Sequence, residues 1–229
     1  MNHMNTLDSA GYGISQQQRH RVLRNTYWLL ALSMLPTVLG AWIGVSTGIT
    51  RSLTGGMGLI VFMVGAFGFM FAIEKTKNSA AGVPVLLAFT FFMGLMLSRM
   101  IGMVLGFSNG SQLIMTAFAG TAGVFFVMAS LATVIKRDLS GMGKWLFVGA
   151  LVLMVGAVIN VFVGSTAGMM AISMLAIGIF SAFMLYDLKR ILDGGETNYI
   201  SATLSLYLSI YNVFQSLLAL LGIMGGDRD

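Results

Sequence analysis

The chain contains no cysteine. Disulfides, thiolate metal sites and a cysteine nucleophile are excluded at once. Histidine is nearly as scarce: the two present, His3 and His20, both fall in the polar N-terminal stretch. No imidazole is available further along, which excludes HExxH-type zinc chemistry and a Ser/His/Asp triad. Charge is the third shortage. Lys, Arg, Asp and Glu make up 9% of the residues, where a soluble domain carries roughly 25%. The formal net charge of +5 could suggest nucleic acid. The basic residues, however, sit in short clusters between apolar runs, which is a topology signal. No short apolar run with a cleavage site opens the chain, so no removable signal peptide is expected.

What is abundant is apolar sequence. The 229 residues are 57% hydrophobic, with a mean hydropathy of +0.87. Seven apolar stretches cover roughly 25–47, 53–73, 82–106, 112–135, 145–163, 168–187 and 200–223. A crossing of the ~30 Å hydrocarbon core takes ~20 residues at ~1.5 Å each, and every stretch is about that long. The expected fold is an all-α integral membrane protein, a seven-transmembrane-helix bundle over 22–229 behind a disordered cytoplasmic tail over 1–21. No soluble catalytic domain fits between the spans. Ten basic residues fall on one side: Arg19, Arg21, Arg24, Lys75, Lys77, Lys136, Arg137, Lys144, Lys189 and Arg190. Only Arg51, Arg99 and Arg228 fall on the other. The positive-inside rule places the N-terminus in the cytoplasm and, after seven crossings, the C-terminus outside.

Small residues four apart suggest where helices approach closely: Gly40 and Gly44, Gly102 and Gly106, Ala119 and Gly123. In lipid such pairs let backbones touch. The 19 methionines show no clustering and read as packing and lipid-facing filler, not a metal path. No metal site and no cofactor are expected.

The last span differs from the others. Ser201, Ser205, Ser209, Asn212 and Ser216 recur at helical spacing, with Thr203, Tyr207, Tyr211 and Gln215 running beside them. So wide a polar strip cannot face hydrocarbon cheaply, which makes span 7 the interior helix, ringed by the other six. Two readings stand: interhelical hydrogen bonds that hold the bundle, or a polar path or sensing site. Asp187 is the one acidic residue at the edge of a span, closing span 6 ahead of Lys189 and Arg190. It is either a carboxylate paired with Lys189, Arg190 or a basic residue of the 2–3 loop, or a group whose protonation gates something.

Tyr186-Asp187-Leu188, then Gly194-Gly195-Glu196-Thr197-Asn198-Tyr199-Ile200, then Ser205-Leu206-Tyr207-Leu208-Ser209-Ile210-Tyr211-Asn212-Val213-Phe214 resemble the transmembrane BAX inhibitor motif family. The Gly-Gly-Glu-Thr-Asn-Tyr-Ile hairpin and Val22-Leu23-Arg24-Asn25-Thr26-Tyr27 resemble its YccA-like bacterial inner-membrane branch. The likeness runs from about residue 19 to the C-terminus. It implies two functions. One is a pH-sensitive calcium or cation leak governed by two aspartates. The first maps onto Asp187; the second falls on Ser209, so Asp187, Ser209 and Asn212 become the candidate proton- or ion-sensing residues. Two close carboxylates share a proton and together attract a divalent cation, whereas a carboxylate facing a hydroxyl does neither well. Glu196 is the only nearby acidic substitute. The other implied function is that of partner and substrate of FtsH, a membrane-anchored ATP-dependent protease, whose action such a protein slows. The polar segment Met1 to Gln18 then serves as the disordered end that the protease grips. A modulator of membrane protein quality control is the leading expectation, the leak the alternative, and an intramembrane enzyme is disfavoured by the missing cysteine and imidazole.

Overall fold

The computed structural model describes residues 16–53 and 55–226, among which there are seven α-helices and no strand. These are α1 (Gln16–Thr47), α2 (Gly55–Thr76), α3 (Gly82–Leu105), α4 (Gly110–Val134), α5 (Met142–Val163), α6 (Thr166–Leu192) and α7 (Tyr199–Gly225). Each is long and apolar enough to cross a bilayer. Short turns separate them. Gly164, at φ 68°, ends α5 in the left-handed conformation that glycine tolerates. Ser165 caps α6 by accepting from the Gly168 amide, and Asn198 caps α7 by accepting from those of Ile200 and Ser201.

Two boundaries depart from the apolar runs. Helix α1 begins at Gln16, so residues 16–21, expected in a disordered tail, are its first turns. Gln and Arg are good helix formers, and a helix can leave the hydrocarbon without unwinding. Its 32 residues measure roughly 48 Å, well beyond the ~30 Å core. The rest of the expected tail, residues 1–15, lies outside the described residues. Helix α6 does not stop at Asp187 but runs on to Leu192. Leu188 and Ile191 bury themselves on the same face as Met184, and that burial carries the helix on.

Helix α1 packs against α3 at backbone distance. A Cβ at Gly40 would lie 2.2 Å from the Phe91 carbonyl, and one at Gly94 would lie 2.0 Å from the Thr37 carbonyl. The other proposed small pairs do not pack in this way. A Cβ at Gly102 or Gly123 would meet nothing within 4 Å. Helix α7 touches α1, α2, α3, α4 and α6 but not α5, which leans on α6 and α2 instead. The last helix is therefore central, with five neighbours where six were expected. The main core (Leu86, Phe89, Leu206 and Tyr207 among others) gathers around it, and a smaller cluster of Val104, Leu113, Ala117 and Leu218 fills the other end.

The N-terminal end of α1, the α2–α3 turn and the α6–α7 hairpin meet on one face. Arg19 Nη1 donates to the Leu192 carbonyl, and Asn198 Nδ2 donates to the Lys77 carbonyl and to Asn78 Oδ1. At the opposite end Thr50 bonds Ser98, and Arg99 donates to the Leu53 carbonyl. The basic residues of these three segments thus share one side of the bundle.

Candidate functional site

The two polar rows of α7 do different things. Thr203, Tyr207 and Tyr211 reach across to α1 and α3. Tyr207 Oη and Thr37 Oγ1 are 2.9 Å apart; Tyr207 also donates to the Thr90 carbonyl at 3.4 Å, and Tyr211 to that of Met93 at 3.3 Å. Thr203 Oγ1 donates to its own Tyr199 carbonyl and, at 3.4 Å, to that of Thr26. The interhelical bonding expected of the strip therefore belongs to this row. Two positions further on, at ~100° per residue, the serine row lies roughly 200° round the helix, away from α1 and α3. Among the described residues no side chain of Ser201, Ser205, Ser209 or Ser216 makes a hydrogen bond to another helix, although Ser209 is only 3% exposed. Asn212 turns inward on its own helix, with Nδ2 donating to the Leu208 carbonyl at 2.8 Å. Its Oδ1 is left free of protein donors.

Asp187 sits on the inward face of α6 with Ser173, Ala176, Ser181, Met184, Leu188 and Ile191, and is 8% exposed. The expected ion pairs do not form. Lys189 pairs with Asp193 at 2.7 Å, Arg190 with Glu196 at 2.6 Å, and Lys77 with Glu74. Among the described residues the Asp187 carboxylate has neither a hydrogen bond nor an ion pair. Isolated buried carboxylates in membrane helices are costly and tend to mark functional positions. Asp187 and Ser209 stand on adjacent packed helices, yet no hydrogen bond joins them. No group of three His, Asp or Glu side chains gathers among the described residues.

Glu196 is a pin in the hairpin rather than a second ion ligand. One carboxylate oxygen accepts from the Thr197 and Asn198 amides at 3.0 and 2.9 Å, and the other takes Arg190. Gly194, at φ 83°, lets the chain turn, and its bare Cα leaves room for the Arg19 guanidinium; a Cβ there would lie 2.8 Å from Arg19 Nε. Residue spacing gave no sign that Arg19 and Asn198 tie α1, the hairpin and the α2–α3 turn together. They come from three separate parts of the chain.

A central polar helix crossing among apolar ones, with one carboxylate free of ion pairs on the helix beside it and a pinned hairpin at the basic end, defines a polytopic membrane protein whose polar groups are buried along helices α6 and α7. The chain belongs to the Bax1-I family, described as inhibitor of apoptosis-promoting Bax1, which matches residues 19–226. It is 39% identical over 208 residues to the Escherichia coli K12 protein named modulator of FtsH protease YccA, covering 91% of this chain and 92% of that one. Identity and coverage are the same for the inner membrane protein YccA of E. coli O6:H1. A Vibrio cholerae protein described as an uncharacterized membrane protein is 37% identical over 211 residues, 92% of each chain.

Proposed function

We propose that this protein is a non-enzymatic modulator and substrate of the membrane ATP-dependent protease FtsH, placed in the inner membrane with its N-terminus in the cytoplasm and its C-terminus outside. The observation that carries this reading is the 39% identity with the FtsH modulator YccA over nine-tenths of both chains. The packing supplies a mechanism. A processive protease pulls on an unfolded end, and here the polar residues 1–15 precede α1. Behind them stands the helix most tightly bound to a neighbour, since α1 meets α3 at the Gly40 and Gly94 contacts. It is tied at its start by Arg19 to the Leu192 carbonyl. Pulling on the tail therefore loads an interface that yields slowly, and the enzyme stays occupied.

The test is a deletion. The grip must be confined to residues 1–15 and not extend to Gln18, because Gln18 makes contacts within the fold and Gln16 begins α1. Deleting 1–15 should leave the bundle folded, lengthen its half-life when the protease is present and protect other membrane substrates. Equal half-lives for both forms, with and without protease, would mean that the tail is inert.

One observation favours a second reading, that of a pH-sensitive calcium or cation leak with Asp187 as proton sensor and Ser209 and Asn212 as neighbours on the path. Asp187 is buried on the inward face of α6 without an ion pair. Opposing it is Ser209, which supplies no second charge.

A further inference from the structure

On the face opposite the basic loops, a cavity of about 250 Å3 opens between α2, α3, α5 and α7. Its polar end is formed by Arg99, Tyr211 and Gln215, and its apolar walls by Leu59, Phe62 and Val161. Arg99 lies six residues before the end of α3 at Leu105, roughly 9 Å inside the helix. Arg99 is exposed, and this near the helix end its guanidinium reaches toward the headgroup region. Among the described residues its one partner is the Leu53 carbonyl at 2.9 Å. The five acidic side chains among the described residues (Glu74, Asp138, Asp187, Asp193 and Glu196) all lie toward the other end of the bundle. Among the described residues the Gln215 amide has no hydrogen-bond partner. Gly58 looks built for this arrangement. A Cβ on it would fall 2.5 Å from the Leu53 oxygen, so a side chain at 58 would push away the carbonyl that holds Arg99.

We infer that this cavity binds one anionic phospholipid, with its phosphate on Arg99 and Gln215 and the start of an acyl chain along Phe62, Leu59 and Val161. The planar guanidinium fork matches two phosphate oxygens, and most of its N–H groups are still free to donate. The apolar walls argue for a lipid over a small anion. So does the setting: α2 and α5 turn Met57, Ile60, Val64, Val152 and Val155 outward at high exposure, so the cavity mouth lies between lipid-covered helices. This site is independent of the protease reading and lies at the other end of the bundle from the hairpin.

Native mass spectrometry of the full chain, released from mixed phosphatidylglycerol and phosphatidylethanolamine, tests it. The wild type should retain one phosphatidylglycerol in preference to phosphatidylethanolamine. Arg99→Gln should lower that preference about tenfold or more, as expected for loss of a charge-assisted pair. Arg51→Gln, on the same face but outside the cavity, should leave it within about twofold. A second probe does not depend on the Arg99 variant folding: Phe62→Trp should be quenched by phosphatidylglycerol with brominated chains, and Gln215→Leu should weaken that quenching. Three results overturn the assignment. One is an unchanged preference in Arg99→Gln with no quenching of Phe62→Trp. Another is an equal loss in Arg51→Gln, which would indicate general surface charge. The third is displacement of the lipid by millimolar inorganic phosphate, which would indicate a small-anion site.

Discussion

Gly94→Ala is the sharpest test of the packing that the protease reading requires. A methyl carbon at 94 has 2.0 Å to the Thr37 carbonyl oxygen where ordinary contact begins at 3.4 Å, so α1 must retreat by 1.4 Å. The atom in the way is backbone, which cannot swing aside as a side chain end can. The retreat also loads the Thr37–Tyr207 hydrogen bond, now 2.9 Å, and loosens a junction that Gly40 makes from the other side. Overpacking of this kind costs about 1–3 kcal/mol, against the roughly 1 kcal/mol that alanine gains over glycine in a helix. At about 2–4 °C per kcal/mol for a chain of this length, the melting temperature should fall by several degrees. Gly102→Ala is the control. It adds the same methyl to the same helix with nothing within 4 Å, and should be neutral or slightly stabilising. Thermal unfolding in detergent, followed by tryptophan fluorescence, suits the question because Trp28 and Trp42 both lie on α1. Gly94→Ala melting no lower than Gly102→Ala would refute the backbone contact, and with it the claim that α1 resists extraction.

Three further outcomes follow from the same geometry. A reporter active only outside the cytoplasm should be active when fused after Asp229 and silent after Lys77 or Lys144; a silent C-terminal fusion removes the seventh crossing. Glu196→Ala takes away the acceptor of two backbone amides and the partner of Arg190, and should cost about 1.5–3 kcal/mol in unfolding measurements, the range for bonds to a charged group; a loss under ~0.5 kcal/mol would show that the hairpin needs no pin. If the leak reading holds, purified protein in liposomes conducts calcium poorly, Ser209→Asp raises an acid-sensitive flux, and Asp187→Asn abolishes any flux present; a large wild-type flux unchanged by Asp187→Asn ends that reading.

The seven crossings were legible because apolar length is a property of contiguous sequence. The readings that failed were ones that depended on a partner. Tyr186-Asp187-Leu188-Lys189-Arg190 reads as the end of a span by charge, yet Leu188 and Ile191 follow Met184 by four and seven residues, and that apolar spacing carries α6 on to Leu192. The small pairs divided in the same way. Gly40 and Gly44 do face α3, while Gly102 and Gly123 face open space. Gly94 was passed over although Thr90 and Ser98 flank it at steps of four and all three are buried; that triplet is a stronger signal than any pair. The polar strip on α7 identified the interior helix correctly. Which row would bond and which would not depended on carbonyls of α3 and a hydroxyl of α1 that no spacing on α7 encodes. The cavity at Arg99 was wholly out of reach, because a loop and four helices supply its lining.

The division of labour along α7 bears on how the two ends of the molecule communicate. Its first turn is fixed by the Asn198 cap, which also holds the α2–α3 turn. Its middle is held to α1 and α3 by Tyr207 and Tyr211, and Tyr211 with Gln215 then walls the cavity on the far side. A ligand on Gln215 and Arg99 therefore touches the same row of side chains that braces α1 through Thr37. Filling the cavity stabilises the folded bundle by RT ln(1 + L/Kd), where L is the free lipid concentration, and the Thr37 brace is a contact that extraction from the N-terminal end must break after the Arg19 tie. Bound lipid should thus slow the removal of α1 without touching the tail, whereas Gly94→Ala should speed it with the tail intact. The serine row on the opposite side of α7 is left out of this chain of contacts, free of hydrogen bonds to other helices, and that freedom is what a proton- or ion-responsive Asp187 would need from its neighbour.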